Sequence, residues 1–178
     1  VYAGSGPEAE FEVALYAHTG GNSLEAYSVE LYYESTRLEY VRHVGSNMFN
    51  TIVFEDMGTF LVLNPVGKPA SVSDATTTGT AVYLATVTMR FSSGVAAATY
   101  AGAFSVRAST FVNPGGVTFL EQADGVVLDW RDTAQGSAQG SMVVKAVQDV
   151  GLFAYLQTTT LANLALLTGV TQAYGVSA

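Results

Sequence analysis

Two histidines are the side chains of this sequence best suited to proton transfer near neutral pH. His18 precedes Thr19-Gly20 in a turn-like segment, and His43 lies beside Arg42 in a strand-like segment. A catalytic histidine acts together with a nucleophile and an orienting carboxylate. The sequence contains no Gly-x-Ser-x-Gly elbow and no Asp close to either histidine. We therefore interpret both histidines as non-catalytic and predict that the protein is not an enzyme.

Five acidic side chains raise the question of acid–base or metal chemistry. Glu55 and Asp56 are adjacent in the turn of a predicted hairpin, where neighbouring side chains point to opposite sides, so they do not form an acid–base pair. Asp124, Asp129 and Asp132 cluster near a glycine turn, without the spacing of an EF-hand. Structural calcium bound by these loop carboxylates is a hypothesis; no other metal or cofactor is predicted.

Tyr32 is the candidate binding residue. In the segment from Tyr27 to Tyr33 apolar and polar residues alternate, which places Tyr32 on the face opposite the apolar residues, between Glu30 and Glu34. An exposed aromatic ring can stack on a sugar ring or on a partner's side chain, although single exposed tyrosines are common. We take Tyr32, Glu30 and Glu34 as the candidate binding site.

Period-two alternation predicts nine β-strands in the first 130 residues. In the sixth strand it places Tyr83 and Ala85 on one face, and Leu84 and Thr86 on the other. Turn signals such as Asn113-Pro-Gly-Gly116 separate the strands. This arrangement is typical of a β-sandwich or jelly roll. The predicted strands are 10–16, 27–34, 38–44, 51–54, 59–63, 83–91, 104–112, 117–120 and 126–130.

Composition excludes several classes of protein. Of the 178 residues, 49% are hydrophobic and 12% are charged, and the net charge is −8. That excess of acid disfavours nucleic acid and anionic membrane surfaces, which attract basic proteins. There is no cysteine, so thiolate zinc sites and cysteine nucleophiles are excluded. No apolar run approaches the ~18 residues of a membrane span, and a chain beginning at Val1 is expected to be processed or a fragment.

The composition changes after Trp130. Residues 132–141 are small and polar, which predicts a linker between a first domain at 1–131 and a segment at 142–178. That segment contains strand-like runs but is too short to close a sandwich by itself. We interpret it as the start of a second domain, or as an arm that packs on the first domain or on a neighbouring molecule. The candidate arm residues are Val143, Leu152, Tyr155, Leu161 and Leu167.

The order of segments in the first 130 residues resembles a cohesin-type module. The segment from Tyr27 to Val41 is similar to the core pattern of that family, with Glu34 where Asp is commoner. The resemblance implies a nine-stranded jelly-roll sandwich that holds proteins together; no dockerin-contacting residues can be matched. The other similar segments are Phe11–Leu15, Val44–Phe49, Leu84–Phe91, Ala108–Phe111 and Gly125–Asp129.

The tail resembles another family. Val150–Tyr155 and Leu161–Gly169 are similar to the segment that joins a cohesin-like domain to an Ig-like domain in the transmembrane protein 132 family. This resemblance implies that residues 142–178 begin an Ig-like domain of a larger cell-surface protein with a role in adhesion.

The function that we predict from the sequence is therefore non-enzymatic. The chain is expected to be an extracellular or cell-surface module for adhesion or assembly, and its partners to be other proteins, including copies of itself. Its last strands could add to a neighbour's sheet and build a filament. The alternative is a carbohydrate-binding module of a cell-wall or matrix protein.

Overall fold

The computed structural model describes residues 10–92, 104–129 and 150–158. These residues form ten β-strands and one short 3-10 helix at Asp74–Thr77. The strands are β1 (Glu10–His18), β2 (Ala26–Tyr33), β3 (Leu38–Gly45), β4 (Ile52–Asp56), β5 (Phe60–Pro65), β6 (Val82–Phe91), β7 (Phe104–Val112), β8 (Thr118–Asp124), β9 (Val126–Asp129) and β10 (Gly151–Thr158).

The strands form two five-stranded sheets that pack as a sandwich. Sheet A has the order β3-β6-β1-β10-β9, and sheet B has the order β4-β5-β2-β7-β8. All neighbouring strands are antiparallel except β9 and β10, which are parallel. The predicted all-β sandwich is confirmed, and each of the nine predicted strands is present. The tenth strand, β10, lies in the segment that we interpret from the sequence as the start of a second domain or as an arm.

The core lies between the sheets and follows the predicted alternation. Along β2, Tyr27, Val29 and Leu31 are buried, while the residues between them are only half-buried. The hydroxyl of Tyr27 crosses the core and donates a hydrogen bond of 3.1 Å to the carbonyl oxygen of Leu84 in sheet A. Burial raises the pKa of Tyr27 strongly, so this hydroxyl keeps its proton and stays a donor.

A bulge in β6 changes one predicted face assignment. Leu15 of β1 pairs with Ala85, but the next residue, Tyr16, pairs with Tyr83, so Leu84 is the extra residue. Leu84 and Ala85 are consequently both fully buried. Tyr83 faces outward, where its ring lies 5.5 Å from that of Tyr16. The prediction that Tyr83 shares a face with Ala85 is wrong, because alternation cannot reveal an inserted residue.

The structure places β10 inside the sandwich. β10 lies between β1 and β9, and eight of its residues pair with β1. Leu152 and Ala154 point into the core and are 1% and 0% exposed. Residues 151–158 are therefore part of sheet A, where they supply hydrogen-bond partners for β1 on one side and for β9 on the other. The division into domains stays a prediction.

The rest of the predicted second segment is not tested. Residues 142–149 and 159–178, with Val143, Leu161 and Leu167, lie outside the described residues. The start of an Ig-like domain stays a prediction for that part of the chain.

The placement of β10 predicts that Leu152→Ala is strongly destabilising. Truncating a fully buried leucine removes its transfer free energy and leaves a cavity, which together cost about 2–5 kcal/mol. Val66→Ala is the control, because Val66 is 67% exposed and should cost at most about 0.5 kcal/mol. Urea unfolding of the full chain measures both. Equal costs would show that Leu152 is not in the core.

Candidate functional site

The outward face of sheet B carries the candidate site. Alternation along β2 buries Leu31, so that Glu30 and Tyr32 on either side of it face away from the core. On β5 the same alternation turns Phe60 and Val62 outward. We call this surface the outer face of sheet B.

The strand register places charged residues in one row across this face. Glu55 of β4 lies opposite Val62 of β5, and Val62 lies opposite Glu30 of β2. Glu30 lies opposite Arg107 of β7, which in turn lies opposite Asp124 of β8. Four of the five strands therefore contribute a charged side chain to this row, and Arg107 lies between two carboxylates. Opposite charges on directly paired positions stabilise a sheet modestly.

Glu30 is held by hydrogen bonds from both sides. The Ser109 hydroxyl donates a bond of 2.6 Å to Oε1, and the Tyr32 hydroxyl donates a bond of 2.5 Å to Oε2. Ser109 reaches Glu30 because a bulge in β7 makes it the extra residue: Ser28 pairs with Thr110, but Val29 pairs with Ala108. The carboxylate of Glu30 therefore has a fixed orientation on the open face.

These contacts decide the protonation state of the pair. Burial raises the pKa of Glu30, but the hydrogen bonds from Ser109 and Tyr32 and the charge of Arg107 outweigh it and lower the pKa below 4.5. The hydrogen bond to Glu30 raises the pKa of Tyr32, and burial adds to that effect. At neutral pH the pair therefore presents a carboxylate on Glu30 and a neutral phenol on Tyr32.

An aromatic pair and a hollow lie beside the row of charges. The rings of Tyr32 and Phe60 stack at a centroid distance of 5.0 Å and an angle of 27°. On the other side of Tyr32 is an open hollow of about 550 Å³. The Nε of Arg107 is buried and has no hydrogen-bond partner among the described residues. The hollow is lined by Tyr32, Ser105, Val106, Arg107, Asp124 and Gly125.

Glu34, the third predicted site residue, does not join Glu30 and Tyr32. β2 ends at Tyr33, and Glu34 begins the turn to β3. Its carboxylate lies 3.1 Å from Nε of Arg37 and accepts a hydrogen bond from the hydroxyl of Thr36. Glu34 therefore has a local role in the turn, whereas Glu30 and Tyr32 lie on one face of β2 and are joined by a hydrogen bond.

The two histidines occupy structural positions. His18 is buried, and its Nδ1 accepts a hydrogen bond of 3.2 Å from the backbone N–H of Gly20. His43 stacks on Phe54 at 4.5 Å, and its Nδ1 lies 2.8 Å from the hydroxyl of Tyr40. This stack joins β3 at the edge of sheet A to β4 at the edge of sheet B.

The acidic residues of the β4–β5 hairpin also have local partners. Oδ1 of Asp56 accepts hydrogen bonds from the hydroxyl of Tyr33 and from the N–H of Gly58. Burial and the bond to Asp56 raise the pKa of Tyr33 to about 12. Asp56 therefore shapes the hairpin turn, while Glu55 lies on the outer face of sheet B.

Within residues 10–92, 104–129 and 150–158, no group of three or more His, Asp and Glu side chains is placed to hold a metal ion. Asp124 ends β8 on the outer face of sheet B, and Asp132 lies outside the described residues. The calcium hypothesis stays a prediction.

Of the predicted arm residues, the structure places two. Leu152 is a core residue of the sandwich, and Tyr155 lies in β10 opposite Ala14 of β1.

The sequence did not single out Arg107, Ser109 or Phe60. Arg107 and Ser109 lie on a strand far from Glu30 in sequence, and only the pairing of β2 with β7 brings them to it. The available signal for Phe60 was its outward position in the predicted hairpin strand at residues 59–63.

The structure is similar to solved cohesin modules at low sequence identity. A chain of a CaDoc0917–CaCohA2 complex at pH 5.5 has a TM-score of 0.50 and 6% identity, over 65% of this chain and 85% of that chain. The sixth cohesin of scaffoldin B from Acetivibrio cellulolyticus, solved with a Cel5 dockerin, has a TM-score of 0.46 and 15% identity, over 67% and 88%. The seventh ScaB type I cohesin from Pseudobacteroides cellulosolvens has a TM-score of 0.45 and 13% identity, over 88% of both chains.

These likenesses concern the fold. The sequence matches no protein-family model and no curated protein. In the part of the chain that the structure describes, no helix has the length and apolar character needed to cross a membrane.

The Glu30 contacts predict a pH-dependent contribution to stability. A carboxyl whose pKa is lowered by folding stabilises the fold above its unfolded value of 4.5, and this contribution is lost as the pH falls through the lower folded value. Glu30→Gln should therefore lower the free energy of unfolding by about 1 kcal/mol at pH 7 and by much less at pH 3.

Glu55→Gln is the control for this measurement, since Glu55 lies on the same face and is exposed. Urea unfolding at both pH values measures the two variants. A Glu30→Gln cost that is the same at pH 3 and pH 7 would show that the charge of Glu30 does not contribute.

Proposed function

We propose that this chain is a protein-binding module that attaches one protein to another through the outer face of sheet B. The observation that carries this proposal is the fixed arrangement of Glu30, Tyr32 and Arg107 beside an open hollow. Tyrosine and arginine side chains supply much of the binding energy in many protein interfaces.

The face suits a protein partner in both shape and charge. In the row of charges, Arg107 lies between the carboxylates of Glu30 and Asp124. A partner with complementary charges can match this pattern, and such matching fixes the register and the specificity of an interface. Glu30 is already oriented by Ser109 and Tyr32, so that little side-chain entropy is lost on binding.

The fold comparison supports the same class of function. The similar chain with a TM-score of 0.50 belongs to a complex, CaDoc0917–CaCohA2. We extend to this chain only the general role of a module that holds two proteins together, and we propose that it acts without enzymatic activity.

We further propose that the module belongs to an extracellular or cell-surface protein with a role in adhesion or assembly. The low charged content of 12% supports assembly, because weakly charged surfaces lose less hydration free energy when they are buried.

The second candidate function is carbohydrate binding at the same face. The observation that favours it is the stack of Tyr32 on Phe60, which offers aromatic surface next to the carboxylate of Glu30. Sugar binding would use this aromatic surface and would not require Arg107 or the charge of Asp124.

The protein-binding proposal predicts loss of a partner when the face is changed. The full chain is immobilised and exposed to secreted and surface proteins of its source organism, and the retained protein is purified. Tyr32→Ala and Arg107→Ala should each weaken its binding at least about tenfold in calorimetric titration, as expected for residues worth about 1.4 kcal/mol or more.

Tyr83→Ala is the matched control, because Tyr83 is a half-buried tyrosine on the outward face of sheet A. Its affinity should equal that of the unchanged chain. If all three variants bind equally, the partner does not use the outer face of sheet B.

The carbohydrate alternative makes a different prediction. Titration with a panel of glycans should show micromolar to millimolar binding that is lost in Tyr32→Ala and kept in Arg107→Ala. If no glycan binds and Arg107→Ala loses binding to a protein partner, the result supports the protein-binding proposal over the carbohydrate alternative.

A further inference from the structure

β10 lies in a groove between two strands of sheet A, β1 and β9. On one side β10 pairs with β1 from Phe11↔Thr158 to His18↔Gly151, and on the other it pairs with β9 from Phe153↔Val126 to Leu156↔Asp129. Without β10, both β1 and β9 would expose unpaired backbone groups, and the core would be open at the positions of Leu152 and Ala154. We call this position between β1 and β9 the β1–β9 groove.

The groove fits a backbone at close range. Gly125 lies between β8 and β9, and a Cβ atom there would come within 2.8 Å of the carbonyl oxygen of Leu152 and 2.6 Å of Cγ2 of Val106. Glycine is therefore needed at residue 125 so that β10 can pack against it. The groove is thus shaped for a strand with the sequence of β10.

The connection to β10 does not require the strand to come from the same molecule. β9 and β10 are parallel, so the chain must return from Asp129, beside Leu156, to Gly151 at the other end of β10. That distance is about 17 Å. Residues 130–150 make the connection, and 21 residues can span up to about 70 Å. Their length is enough to reach the groove of an adjacent copy.

We propose that the β1–β9 groove is a strand-acceptor site whose second occupant is β10 of another copy of this chain. The paired residues and the buried side chains are the same in both cases, so exchange changes no contact within the sandwich. Whether a groove holds its own β10 or that of another copy depends on the protein concentration. The effective concentration of a strand tethered to the same chain is of the order of millimolar. Each copy both donates and accepts a strand, so reciprocal exchange closes a dimer.

This proposal does not rest on the proposed function of the outer face of sheet B, since it is argued from the pairing of β1, β9 and β10 in sheet A. It also makes specific the sequence-based hypothesis of an assembly arm: the arm is β10, and Leu152 is its buried core residue.

Cysteine cross-linking of the full chain tests the exchange directly, because the sequence contains no cysteine. Glu12 of β1 lies opposite Gln157 of β10. Glu12→Cys and Gln157→Cys chains are mixed at about 1 mM, the order of the effective concentration, warmed close to the unfolding transition and oxidised mildly. A disulfide between two different chains is expected, because only exchange brings these positions together across molecules.

The control mixture pairs Glu12→Cys with Phe153→Cys, since Phe153 lies opposite Tyr16 and not Glu12. Cross-linking should be at least several-fold weaker in this mixture. Equal cross-linking in both mixtures, or none in either, overturns the proposal. The Glu12→Cys/Gln157→Cys double variant should form the bond within one chain when dilute, which shows that the pair can be bridged.

A deletion provides a second measurement. Removing residues 132–145 leaves seven residues between β9 and β10, fewer than the dozen or so that a parallel crossover needs. This chain should be a dimer in light scattering even at micromolar concentration, while the full chain is a monomer there. A folded monomer of the deleted chain overturns the proposal; if the deleted chain does not fold, the cross-linking result decides.

Discussion

Backbone pairing on both sides of β1 holds sheet A together. β1 lies at the centre of the sheet, with β6 on one side and β10 on the other, and residues such as Val13 and Leu15 are fully buried. A strand so deeply buried cannot leave its N–H and C=O groups unpaired without a cost of about 1–3 kcal/mol for each group. β10, the last described strand, is therefore as necessary to the fold as β1, the first.

The geometry of the outer face of sheet B follows from this core. Because sheet A supplies one wall of the interior, Tyr27, Val29 and Leu31 of sheet B must point toward it, and Tyr27 is bonded across the core to Leu84. Because successive side chains of a strand point to opposite faces, Glu30 must then point outward. The position of the site is thus fixed by burial, while its chemistry comes from the residues that pairing brings beside Glu30.

Local alternation was enough to predict the strands and the outward face of β2, because β2 alternates between buried and half-buried residues along its whole length. It could not predict inserted residues: the bulge at Leu84 reversed the face assigned to Tyr83, and the bulge at Ser109 turned that hydroxyl toward Glu30. Nor could it pair segments distant in sequence, since Ser109 and Glu30 are 79 residues apart. The same limit left the place of β10 open between a second domain and an arm on the first domain or on a neighbour, because its partners are elsewhere in the chain.

The face of sheet B and the groove in sheet A meet at one residue. Gly125 joins β8 of sheet B to β9 of sheet A, and its N–H donates a hydrogen bond of 2.8 Å to the carbonyl oxygen of Val106. Gly125 and Val106 both line the hollow beside Tyr32, and Gly125 also packs closely against Leu152 of β10. The strand that fills the groove therefore supports one wall of the hollow. In the proposed exchange, a copy that receives β10 from a neighbour keeps the same support, so the wall of the hollow is preserved, whereas an empty groove would leave it unsupported.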